Sequence, residues 1–251
     1  MRIKILIPLL VLLATGVVLA AQVTISWWDV YYKYAQVKVE KHRIGMETLI
    51  SFVEEKGRDS RKLESIKSEF LSANQEFKLA TEKEDKVAID LVISKMREIV
   101  VRFRKEAKIQ LAGLGKEALK ELNDALEANE SYFNSLLDEA RTLHKDRNIE
   151  IFDWAIGKGE EAVEKLKEYD KDTTQVEAKL NEIKGKREKF LATMNEALTA
   201  CYGIENINCQ NTANLGGNCA TKVQNYCTLR HEIKNDFSQL RDLIYQAAGL
   251  K

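Results

Sequence analysis

Proline occurs once in this 251-residue chain, at Pro8. Everything after it lacks the residue whose ring removes a helical hydrogen bond and clashes with the preceding turn. The same stretch is rich in Ala, Leu, Glu and Lys, which are strong helix formers, and it predicts an all-α fold. Charge of one sign is missing too, since 39 Lys and Arg balance 39 Asp and Glu. Without a basic surplus nothing neutralises a phosphate backbone, so no nucleic acid is expected as a partner. Histidine is scarce: His42, His144 and His231 fall in separate predicted helices and each reads as a surface or boundary residue. None has a Glu three residues before it, as di-iron bundles require. The chain has no C-x-x-C-H, H-E-x-x-H or G-x-S-x-G motif, which removes haem attachment, zinc hydrolysis and the hydrolase nucleophile elbow. Acidic residues are plentiful, but they sit at helix-surface spacings from Lys and Arg and read as a solvated face. The expectation is a protein with no enzymatic activity, no cofactor and no metal.

What is present begins with a leader. Arg2 and Lys4 precede an apolar run from Ile5 to Leu19, interrupted by Pro8, Thr15 and Gly16 and followed by Ala20 and Ala21. This is the layout of an export signal, so residues 1–21 read as a signal peptide or an N-terminal membrane anchor. The tripartite pattern favours cleavage near Ala21. An uncleaved anchor would extend to Ile25 and make Trp27, Trp28, Tyr31 and Tyr32 membrane-interface aromatics. Either outcome leaves the rest of the chain secreted, or anchored on the extracytoplasmic face of the membrane.

Residues 27–112 read as a three-helix antiparallel bundle. The first helix runs to about Lys56, with Val37, Ile44, Leu49, Ile50 and Val53 as candidate core positions. Gly57 stops it, and Asp59 or Ser60 can cap the next. Leu63, Ile66, Phe70, Ala73, Phe77 and Ala80 then recur three and four apart, as do Ile89, Val92, Met96, Ile99 and Phe103. Such seams need partner helices to cover them. Gly113 and Gly115 open a second helical unit, residues 113–200, with one stripe through Leu122, Leu126, Phe133, Leu136, Ala140 and Leu143. Another runs through Phe152, Trp154, Ile156, Val163 and Leu166, weakened in its middle by Gly157 and Gly159. A displacement of 113 residues superposes Glu55 on Glu168, Asp59 on Asp172, Ser60 on Thr173, Leu63 on Val176, Phe70 on Ile183 and Phe77 on Phe190. Caps and seam coincide together, which points to a helical hairpin used twice.

Residues 201–251 read as a cysteine-stapled loop and a final helix from about Thr221. Cys201, Cys209, Cys219 and Cys227 are spaced eight, ten and eight, symmetrically about Asn214. In a hairpin, residues equally far from the tip face one another, so the expected bridges are nested: Cys201–Cys227 and Cys209–Cys219. No two cysteines lie at the close spacing of zinc ligands, and an exported chain permits oxidation. The uncharged tip, with Tyr202, Asn208, Asn214 and Asn218, is a candidate recognition loop. Arg97, Arg102, Arg104, Lys105 and Lys108 make a basic end to the third helix, complementing its negative dipole end, and Asn129-Glu130-Ser131 is a glycosylation triplet. These features predict an exported cell-envelope structural or protein-interaction scaffold, partnered by another protein or by itself through its helices, with membrane contact at the N-terminus. The alternative is an extracytoplasmic sensory bundle that binds a small ligand between its helices.

Overall fold

The computed structural model describes residues 24–201, 209 and 215–250; the leader, residues 1–21, lies outside the described residues. Among those residues there are eight helices and no strand, so the chain is all-α. In order they are α1 (Trp27–Glu55), α2 (Arg61–Glu82), α3 (Lys86–Leu111), α4 (Lys116–Glu127), α5 (Glu130–Glu168), α6 (Thr174–Gly185), α7 (Arg187–Ala200) and α8 (Gly217–Ala247). They divide into two compact units. One spans Trp27–Ala140; the other holds Arg141 onward together with Thr24–Ser26. The division falls inside α5, whereas the sequence pattern suggested breaks at 113 and 201. The reason is that α8 packs on α6 and α7, which joins the cysteine segment to the helices before it.

In the first unit the chain leaves α1 through a tight reversal. The Gly57 N–H bonds the Glu54 carbonyl at 2.8 Å and the Arg58 N–H bonds the Val53 carbonyl at 3.0 Å, with Gly57 in the left-handed region at φ +70. This satisfies carbonyls that the helix end leaves over. The Asp59 carboxylate then accepts from the Arg61 N–H at 3.0 Å and starts α2. Ion pairs fix the antiparallel register of α2 and α3: Glu76 meets Lys95 at 2.7 Å and Glu69 meets Arg102 at 2.5 Å, one partner receding as the other advances. Between the helices lies a core of Met46, Ile50, Val53, Leu63, Phe70, Phe77, Ile89, Ile99 and Phe103. Val37 and Ile44 are only half-buried, while Val30, Tyr34, Met46 and Phe52 are buried.

The second unit repeats these devices at the displacement of 113. α5 ends at Glu168 as α1 ends at Glu55, and α6 begins at Thr174 as α2 begins at Arg61. Asp170, at φ +50, takes the place of Gly57, with the same pair of reversed bonds from Asp170 to Lys167 and from Lys171 to Leu166. The Asp172 carboxylate accepts from the Thr174 N–H at 2.9 Å, as Asp59 does for Arg61. Burial follows suit, since Ile50 and Val163, Val53 and Leu166, Leu63 and Val176, Phe70 and Ile183, and Phe77 and Phe190 are all core residues. Lys186 alone separates α6 from α7, and its backbone stays in the helical region. Ring contacts of Phe152 with Phe190 and Phe237, and of Phe190 with Tyr226, tie α5, α7 and α8 together.

Candidate functional site

The cysteine-bridged end of the second unit is the first candidate. α7 finishes at Ala200, leaving Cys201 at its C-cap, and α8 begins at Gly217, four residues earlier than expected. Cys219 therefore sits in the first turn of α8. The bridges are Cys201–Cys219, with Cα atoms 5.2 Å apart, and Cys209–Cys227, with Cα atoms 5.5 Å apart. This corrects the nested expectation of Cys201–Cys227 and Cys209–Cys219. α7 and α8 run antiparallel, as the contacts of Phe190 with Tyr226 and of Glu196 with Lys222 show together, so the end of one faces the start of the other. Cys227 lies about 12 Å further along α8 at the helical rise, beyond the reach of Cys201. It is Cys209 that meets Cys227. Of the four candidate recognition residues, Tyr202, Asn208 and Asn214 lie outside the described residues. Asn218 is exposed in the first turn of α8, beside the Cys201–Cys219 bridge.

Beneath the bridges α5 and α8 gather cationic and aromatic groups. His144 is 4% exposed. Burial, then the charges of Arg147 and Arg230, lower its pKa to about 4. Burial, then Arg230, also lowers the pKa of Arg147, and burial raises that of Tyr226. The Arg230 guanidinium lies 3.9 Å from the Cys209 sulfur, and Arg141 donates to the Thr199 carbonyl at 3.4 Å. A histidine so enclosed is neutral near pH 7, and its place among the core residues assigns it to packing. Its burial departs from the surface expectation. A signal was there, because Leu137, Ala140 and His144 follow one another at three and four residues and continue a single stripe.

The aromatic group at the start of α1 is largely committed to the core. Trp28, Tyr31 and Tyr32 pack against it, and Tyr32 stacks on Phe77 at 5.7 Å; Trp27 stays 43% exposed. At the basic end of α3, Arg58 donates to the carbonyls of Gln110 and Ala112. These bonds cap the helix from across the turn. Arg104 is one of the charges that lower the pKa of His42, after burial. Asn129 of the glycosylation triplet is half-buried, and its amide donates to the Ala125 carbonyl at 3.2 Å.

The second candidate is a surface. On α3 the side opposite the core carries Val87, Leu91, Val101 and Ile109, exposed by 71, 67, 49 and 62%. At 3.6 residues per turn they lie within an arc of about 80° that also holds the exposed Ser94, Glu98 and Lys105, so an interrupted apolar stripe runs outward for some 33 Å at the rise of about 1.5 Å per residue. Sequence reasoning missed it because the inward seam on the same helix is the stronger periodic signal. Among the described residues no cluster of His, Cys, Asp and Glu is arranged to hold a metal ion, and no helix is long and apolar enough to cross a membrane. Compared with protein-family models, curated proteins and solved structures, the chain matches none.

Proposed function

We propose that the protein is an exported cell-envelope scaffold that binds other protein chains through the outer faces of its helices and performs no catalysis. The outward stripe of α3 carries this reading. Large apolar side chains standing in water along one helix face are what a helix-binding partner would cover. The two bridges support the compartment, because disulfides persist where the surroundings are oxidising.

The test is in the cell that makes the protein. A photo-crosslinking side chain at Leu91 is expected to capture a protein neighbour in the envelope fraction, and intact mass before and after reduction is expected to show two bridges. Free thiols at all four cysteines, or a Leu91 position that captures no protein, would overturn the proposal.

A further inference from the structure

The second unit serves as a control for the first. Displaced by 130 residues, the buried Met96, Ile99, Phe103 and Glu106 of α3 fall on Tyr226, Leu229, Ile233 and Asp236 of α8, which are buried as well. Even the buried carboxylates correspond. Glu106 meets Lys62 of α2 at 2.5 Å, and Asp236 meets Lys179 of α6 at 2.6 Å. On the outer side the correspondence in chemistry ends. Val87, Leu91, Val101 and Ile109 fall on Gly217, Thr221, His231 and Gln239, all exposed. The same helix position is thus built with a polar outer face in one unit and with one carrying four exposed apolar side chains in the other. Packing within the unit does not require these side chains, and each exposed Leu or Ile leaves apolar surface in water.

The order of charge along the stripe selects its occupant. Asp90 lies on one flank in the first half of α3, and Lys108 lies on that same flank in the second half; Glu98 and Lys105 lie within the stripe itself. In a parallel pair about a two-fold axis opposite flanks meet, so Asp90 and Lys108 of one copy lie on the far side of the seam from those of the other. Laid antiparallel about a two-fold axis, the same flanks meet head to tail. Asp90 of each copy then faces Lys108 of the other, Glu98 approaches Lys105, and Leu91 packs on Ile109 at both ends of the seam. Unlike charges beside a short apolar seam are how helix pairs choose their orientation. We infer that the outer face of α3 pairs antiparallel with the same face of a second copy of this chain, about an axis beside Val101. This inference rests on the scaffold reading and names the partner it leaves open.

Cross-linking decides it. Leu91→Cys and Ile109→Cys are made separately in the full chain, purified from its native compartment with its bridges formed. Both positions are exposed, so neither substitution touches the core. On mixing, the two variants are expected to form a covalent heterodimer in at least tenfold greater yield than either variant alone. The contrast follows from distance, because in the antiparallel pair the two copies of residue 91 lie about 27 Å apart by helical rise. No heterodimer in the mixture, or equal dimer from each variant alone, would overturn the inference. As a second measurement, sedimentation equilibrium of the unaltered chain is expected to show a reversible dimer, weakened at least tenfold by Leu91→Lys, and a monomer at every concentration would likewise overturn it. Capture of a different protein at Leu91 in the envelope would leave the scaffold proposal standing while the self-pairing failed.

Discussion

Burial holds His144 neutral well below the range in which histidine ordinarily titrates. Its pKa falls from 6.5 to about 4 in the folded chain, with Arg147 and Arg230 adding to the effect of burial. Between those values the unfolded chain binds the proton that the folded chain refuses, so stability falls as pH drops from 6.5 toward 4. Once the pH is below both values the loss amounts to roughly 3 kcal/mol at about 1.4 kcal/mol per pKa unit. Urea unfolding at stepped pH is expected to show this slope, and His144→Leu is expected to reduce it to the share left by His42, whose pKa burial also lowers. The shifted carboxylates act in a lower window. Asp59, lowered to about 2 by its bonds to Arg61, and Asp153, lowered by Arg187, lose their contribution only below their ordinary values near 4. A slope above pH 5 left unchanged by His144→Leu would show that another group carries it.

Within single helices, glycine marks the difference between local propensity and tertiary contact. Gly157 and Gly159 look alike in the sequence, two weak points in the middle of α5. A Cβ at Gly157 would meet nothing within 4 Å, whereas one at Gly159 would lie 2.8 Å from Leu180 and 3.3 Å from Leu240, both core residues. Gly157→Ala is therefore expected to raise stability by about 1 kcal/mol through helix propensity. Gly159→Ala is expected to fall at least ~1 kcal/mol below it, because the overpacked core offsets that gain. Thermal unfolding of the pair would settle the order, and equal gains would remove the close approach as a constraint.

The cysteine hairpin gives a second test at this scale. Cleavage after Glu205 and Lys222 without reduction is expected to leave the three cysteine-bearing peptides joined as one species. Nested bridges would give two species. Each bridge closes a loop with a sequence separation of 18, for which chain entropy predicts about 3 kcal/mol. Cys201→Ser with Cys219→Ser is expected to lose stability of that order, measured by denaturant unfolding.

Across the whole chain, one three-helix pattern is used twice with different electrostatic investment. Asp236 is held between Lys179 and Lys186 at 2.6 and 2.7 Å, and the Lys179 side chain is only 12% exposed. Its counterpart Glu106 holds Lys62, whose side chain is 70% exposed. Removing the carboxylate leaves an enclosed ammonium, Lys179, with only Glu182 at 2.9 Å in one unit, and a solvated ammonium in the other. Asp236→Ala is accordingly expected to cost about 2 kcal/mol, the loss of charge-assisted bonds with Glu182 still in place, and Glu106→Ala about 1 kcal/mol. Equal losses in chemical denaturation would show that the surroundings of the lysine do not matter.

Much of this architecture was legible in the residues alone. Periodic seams such as Leu63 to Ala80, the stops at Gly57 and Gly113, and the Asp59 and Asp172 starts are local signals. A helix boundary depends on residues within a turn of it, so the repeat at 113 could be read before any packing was known. Other features depended on which helix ends meet in space. The nested bridges failed because symmetry of spacing says nothing about where α8 begins, and its earlier start set Cys219 opposite Cys201. Likewise the burial of His144, the close approach at Gly159 and the outward stripe on α3 were settled by neighbours distant in sequence. Composition and short-range pattern determined that this chain would be helical and where its helices would turn. Only the packed tertiary structure decided which cysteines join and which apolar face is left in water, because those outcomes follow from distances between segments that no local pattern encodes.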